Sequence, residues 1–162
     1  MRTRTVGFDF WPFVVAAIAV VLDQLTKALV INAFGPSEDG KSTTIIPHIL
    51  DFRHDENTGA AFSIFQGRST TLLLIGVVVI GVLIYYYRAL PQGNPLLRIA
   101  VGAVLGGAVG NIIDRLRLGH VTDWIHVTHY PTFNLADSCI TVGMITLAVY
   151  LLFLDRAPRR DG

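Results

Sequence analysis

The stretch TDWIHVTHYPTFNLADSCITVG carries Asp123 and Asp137, fourteen positions apart, and Asp137 opens into seventeen uncharged residues from Ser138 to Leu154. An ionisable side chain at the mouth of such an apolar run costs about 2.5–3.5 kcal/mol on insertion scales and is rarely kept without a partner or a task. Two carboxylates that share one proton can take a proton from water and give one to an amide, which is the chemistry of peptide hydrolysis. A plainer account exists for one of them. NLAD, residues 134–137, reads as a helix start, with Asn134 as the cap and Asp137 at the position where a capping box places its acidic partner. The helix dipole also favours an anion there. Capping therefore accounts for Asn134 and Asp137, whereas Asp123 has no local reason of this kind.

Other polar residues sit within apolar surroundings. DQLTK, residues 23–27, puts Asp23 and Lys27 four apart on one helical face, the spacing of an ion pair that either eases insertion or anchors the floor of a site. ENTGAAFS, residues 56–63, offers Asn57 as a turn residue and Gly59 where backbone can approach a ligand, or else is a plain loop. In GAVLGGAVGNIIDR, residues 102–115, Gly102, Gly106 and Gly110 form a small face suited to close helix packing. Beyond them come Asn111, Asp114 and Arg115, which are expected to form a network in which the guanidinium keeps a buried carboxylate ionised. His120, Asp123, His126 and His129 recur at three-residue intervals, a pattern that zinc could use, but HExxH is absent and solvated histidines at a membrane interface explain it as well. No metal or other cofactor is expected. Ser63 and Ser138 lie outside any GxSxG context, and Cys139, the single cysteine, reads as inert packing.

The chain as a whole is built to hold these groups in a bilayer. Of 162 residues, 52% are hydrophobic and 15% charged, with a mean hydropathy of +0.53, too apolar for an ordinary soluble domain of this size. A net charge of +1 without basic runs argues against nucleic acid as a partner. Four apolar segments, about 11–34, 69–87, 96–113 and 135–154, approach the roughly 20 residues needed to cross about 30 Å of hydrocarbon. The N-terminus imitates a secretory signal, but its apolar pattern runs on to Phe34 without a convincing cleavage site, so it is expected to stay as the first span. Residues 1–10, 88–98 and 155–162 hold seven Lys and Arg in 29 positions, against five in the 54 positions of 35–68 and 115–134. This asymmetry predicts that both termini are cytoplasmic. Trp11 and Tyr85–Tyr87 then suit the inner aromatic belt, and Trp124 and Tyr130 the outer one.

Rise per residue converts this topology into depth. Asp23 lies about 18 Å and Lys27 about 24 Å along the first span, and Asn111 about 22 Å along the third. Asp114, Arg115, Asp137 and the Asn57–Gly59 loop fall at the same outer level. One shared depth suggests one site. A proton-coupled carrier would be expected to show internal repeats and a site near the midplane, and neither is evident. A passive lipid-binding protein would explain the glycine face but not two facing carboxylates.

DQLTK, NTGAAF, GNIIDR, VTDW and FNLAD, in this order across four spans, resemble the lipoprotein signal peptidase family, bacterial signal peptidase II, from Asp23 to Asp137. The resemblance implies an aspartyl intramembrane protease that cuts signal peptides from prolipoproteins just before a diacylglyceryl-modified cysteine. It implies Asp123 and Asp137 as the catalytic pair, with Asn57, Gly59, Asn111, Asp114, Arg115, Asn134 and Ala136 around it and Asp23 and Lys27 in the first box. The partners implied are lipid-modified prolipoproteins and membrane lipid, and a monomer in the bacterial inner membrane is expected. Trp124 stands where the family usually has Phe, and the link to Asn134 is short and rich in histidine. The fold class implied is an all-α membrane protein of four transmembrane helices with a small β-rich extracytoplasmic segment between spans one and two. TTIIPHILDF and AAFSIF could supply its strands. The remaining extracytoplasmic segment, about 114–134, is expected to be a short re-entrant or interfacial loop.

Overall fold

The computed structural model describes residues 9–59, 69–87 and 94–154. Four helices are long and apolar enough to cross a membrane. These are α1 (Trp11–Phe34), α2 (Ser69–Tyr87), α3 (Pro95–Leu118) and α4 (Leu135–Val149), the last continued by a π turn over Tyr150–Leu154. Three strands complete the fold: β1 (Ser42–Ile46), β2 (Leu50–Asn57) and β3 (Val121–Val127).

Local chemistry sets the ends of α3, the central helix. Asn94 accepts a hydrogen bond from the Leu96 N–H at 2.9 Å, and Pro95 occupies the first helical position, where its missing N–H is no loss. Gly119 ends the helix in the left-handed region at φ 81°, a conformation that glycine adopts without steric cost. The glycine face packs α3 against α1. A Cβ at Gly102 would stand 2.5 Å from Val15 Cβ, and one at Gly106 would stand 2.6 Å from the Ala16 carbonyl oxygen. On the other side, a Cβ at Gly107 would run into the Ala136 carbonyl of α4, and one at Gly143 of α4 would meet Ala100 O of α3 at 2.7 Å. In lipid, where apolar surface gains little by leaving its surroundings, such close approach is what holds helices together. Leu97, Ala100, Val101, Val104 and Leu105 of α3, with Leu147 and Tyr87, make the buried core. Helix α2 buries only Tyr87 and leaves most of its surface outward.

The sheet is antiparallel in the order β1–β2–β3. Its third strand corrects the expectation from sequence. Residues 121–127 are not an interfacial loop but pair with β2, with Asp55 opposite Asp123 and Asn57 opposite Val121. The β region thus draws on the connections after both α1 and α3. Helix α3 also runs to Leu118, past the expected end at Ile113. AAFSIF lies outside the described residues, as do Ser63 and most of the terminal basic residues used for orientation. The Trp124 ring packs edge-on against Phe52 across the sheet, 5.0 Å between centroids.

Candidate active site

Strand β3 delivers Asp123 and the first turn of α4 delivers Asp137 to the same end of the bundle. Asn134 joins them. Its side-chain oxygen accepts from the Asp137 N–H at 2.9 Å, and its own N–H approaches Asp137 Oδ2 at 3.3 Å, so the capping box is complete. With the oxygen engaged, the amide NH2 must face the other way, where it donates to Asp123 Oδ1 at 2.6 Å. The cap and the site are one object.

Two more amides are oriented in the same manner. Asn57 accepts from the Gly59 N–H at 2.9 Å, which turns its NH2 to Asp123 Oδ2 at 2.8 Å. Asn111 accepts from Lys27 Nζ at 3.1 Å and from Asn134 Nδ2 at 3.2 Å, which turns its NH2 to Asp137 Oδ1 at 2.7 Å. Asp123 is 2% exposed. Burial first, and then the negative charge of Asp137, push its carboxyl from 3.8 up to about 7, despite the opposing hydrogen bonds from Asn57 and Asn134 and the charge of Lys27. Each carboxylate meets neutral donors, and neither has a cation in salt-bridge contact among the described residues.

Beneath the pair lies a different arrangement. Lys27, 2% exposed, sits 2.8 Å from Asp23 Oδ2 and 2.9 Å from Asp114 Oδ2. Asp23 Oδ1 also accepts from the Ala136 N–H at 3.0 Å, and Asp114 Oδ2 from the Thr122 N–H at 3.0 Å. Gln24, which sequence reading passed over, donates to Asp114 Oδ1 at 2.9 Å and to Asp23 Oδ2 at 3.2 Å. A polar residue beside two charged ones in an apolar helix was the signal for it. This knot ties α1 and α3 to the residue before Asp123 and the one before Asp137. Asp114 therefore pairs with Lys27 and not with Arg115, contrary to the expected Asn–Asp–Arg network. Gly110 is a glycine for the same reason, since a Cβ there would stand 2.5 Å from Asp23 Oδ2.

A cavity of about 270 Å³ opens on Asp137, with Asp123 buried behind Asn57 and Asn134. Asn57, Gly59, Asn111, Arg115 and Asp137 line its polar side, and the segment Tyr130–Phe133, with Val121, Ile140 and Thr141, lines the rest. Among the described residues Arg115 reaches the carbonyls of Asn111 and Gly59, both at 3.4 Å, and its Nε meets no acceptor. Sequence reading named the polar side and missed the wall at Tyr130–Thr132, which no motif covers, and took Phe133 only as the first residue of FNLAD. The histidines are dispersed: His120 lies 3.6 Å from Glu56, His126 is 3.5 Å from the Thr132 hydroxyl, and His129 holds a turn at φ 66°. Among the described residues no three His, Cys, Asp or Glu side chains converge on a common point.

Comparison with known proteins shows the family and the fold. The family described as Signal peptidase (SPase) II matches residues 15–153. The lipoprotein signal peptidase of Shouchella clausii is 41% identical over 150 residues, covering 92% of this chain and 97% of that protein. That of Bacillus velezensis is 40% identical over 153 residues, with the same coverage. A solved structure described as a bacterial membrane enzyme, determined by the in meso method at 2.3 Å resolution, superposes with a TM-score of 0.82 at 30% identity over 96% of this chain and 94% of that one. The chain belongs to the signal peptidase II family, a family of membrane-embedded proteases.

Proposed function

We propose that this chain is an aspartic endopeptidase that removes signal peptides from diacylglyceryl-modified prolipoproteins, with Asp123 and Asp137 as the catalytic pair. The observation that carries the reading is that two carboxylates from different elements share Asn134 beside one cavity and, among the described residues, have no cation in salt-bridge contact. Family membership and the relatives' activity support the substrate class.

The chemistry follows from one proton held between the two carboxyls. The ionised carboxylate takes a proton from a water molecule as its oxygen bonds to the carbonyl carbon before the lipidated cysteine. The protonated carboxyl gives its proton to the carbonyl oxygen, which leaves a neutral gem-diol. A proton then passes to the amide nitrogen as the C–N bond breaks, and the pair returns to its one-proton state. Asn57, Asn111 and Asn134 keep both carboxylates aimed, and Arg115 has donors free for substrate carbonyls. Asp23, Lys27 and Asp114, with the Ala136 N–H on Asp23, hold the frame, and the Gly59 N–H orients Asn57.

The same reading places both termini in the cytoplasm and the site near the outer face, within spans at about 11–34, 69–87, 96–113 and 135–154. A diacylglyceryl group can then remain in the outer leaflet while the scissile bond reaches the pair. Every group named comes from one chain, so a monomer suffices. The test is incubation of purified protein in detergent with a lipid-modified precursor peptide. A product ending just before the modified cysteine is expected, and an intact precursor under conditions where the protein is folded overturns the reading.

A further inference from the structure

The catalytic network leaves one polar cluster unexplained. Arg53 and Asp55, two apart on β2, reach across to Thr132, which lies on the cavity wall. Arg53 Nη2 donates to the Thr132 hydroxyl at 2.8 Å, and that hydroxyl donates to Asp55 Oδ2 at 2.5 Å. Arg53 closes the ring on Asp55 Oδ2 through both Nε and Nη2, each at 2.8 Å. The assignment of donors is forced: a hydroxyl has one proton, which goes to the carboxylate, and its oxygen is left to accept from the guanidinium.

The wall these groups hold is also tied by backbone at its two ends. The Tyr130 N–H donates to Val127 O at 2.9 Å, and Phe133 exchanges hydrogen bonds with Ile125 at 3.1 and 2.8 Å. Between those anchors Pro131 has no N–H to offer, and Thr132 makes the side-chain tie. The segment is short and lines the cavity opposite Asn57 and Arg115. A displaced Thr132 would change the width of the cleft without touching either aspartate.

We infer that Arg53 and Asp55 are positioning residues for substrate, acting through Thr132 to fix the wall Tyr130–Phe133 at the width that grips the peptide. The inference rests on the proteolytic reading of the cavity. It differs from a structural role in what it makes the variants do: loss of the clamp weakens substrate binding more than turnover. Thr132→Val keeps the shape of a half-buried side chain and removes both hydrogen bonds. Loss of the clamp should raise KM by about tenfold.

Full-length protein in detergent, with a lipid-modified precursor peptide, gives kcat and KM for wild type, Thr132→Val, Thr132→Ser and Arg53→Met. The expected result is a KM rise in Thr132→Val and Arg53→Met with kcat changed much less, and near wild-type KM in Thr132→Ser, which restores the hydroxyl. An unchanged KM in Thr132→Val, or a fall in kcat alone, overturns the inference. Amide hydrogen exchange over residues 130–133 needs no cleavage. Faster exchange in Thr132→Val supports the clamp, and unchanged exchange refutes it even if the peptide is never cut. Failure of wild type to cleave, with the exchange difference present, instead counts against the proteolytic reading alone.

Discussion

Two clusters of buried carboxylates lie side by side in this molecule and are treated in opposite ways. Asp23 and Asp114 enclose Lys27 at 2.8 and 2.9 Å, and backbone N–H groups of Ala136 and Thr122 complete them. Asp123 and Asp137 receive only neutral donors and stand close enough for the charge of one to raise the pKa of the other. Where a cation is supplied, both carboxylates are paired with it and the cluster becomes a rivet. Where it is withheld, burial and the neighbouring charge act on the pair unopposed by a contacting cation. Asn111 belongs to both, accepting from Lys27 on one side and donating to Asp137 on the other. The neutralised cluster thereby aims the reactive one.

The largest expected effect is on the reactive side. Asp123→Asn or Asp137→Asn should lower precursor cleavage by about 10²–10⁴-fold or more, the contribution of a positioned acid or base. Both variants should remain folded and membrane-inserted, as read by thermal melting in detergent. Near-normal turnover in either would dissolve the distinction between the clusters.

The neutralised side should respond in stability first. Lys27→Met leaves two carboxylates buried without their cation, a loss of about 3–5 kcal/mol for a broken buried pair. A large drop in thermal midpoint is expected, partly recovered in Lys27→Met combined with Asp114→Asn. If Lys27→Met melts like wild type and loses only activity, Lys27 belongs to the chemistry and the contrast drawn here is wrong.

Smaller and graded is the dependence on pH. Asp123 titrates near 7 in the folded protein, against 3.8 ordinarily. The one-proton pair is therefore populated below about pH 7 and lost above it, so kcat/KM should decline as pH rises through this value. Stability should move in the same direction. Between pH 3.8 and about 7 the folded protein holds a proton that the unfolded chain has released, so the contribution of Asp123 falls as pH rises across that window and levels off above it. Melting temperatures measured across this range should show the slope in wild type and its loss in Asp123→Asn. A flat wild-type profile would mean that burial and the neighbouring carboxylate do not raise the Asp123 carboxyl.

Much of this was open to reading in one dimension. Hydrocarbon demands about 20 apolar residues in a row, so the four apolar helices are written in composition alone. The i, i+4 spacing of Asp23 and Lys27 and the cap at Asn134 are local in the same sense, because a single helical turn brings the partners together. The glycine face of α3 could likewise be read by counting in fours.

What the chain folded upon itself decided is the pairing between elements. That Lys27 takes Asp114 as a second partner, that residues 121–127 form a strand against β2, and that Arg53 and Asp55 meet Thr132 all depend on contacts between residues far apart in sequence. Strand pairing has no signature within the strand itself when the partner comes from the far side of two membrane helices. The sequence alone thus determined which segments are apolar enough to cross a membrane, since hydropathy is a property of each segment. Only the tertiary structure determined which carboxylates are paired with a cation and which meet neutral donors, since that depends on where one lysine ends up.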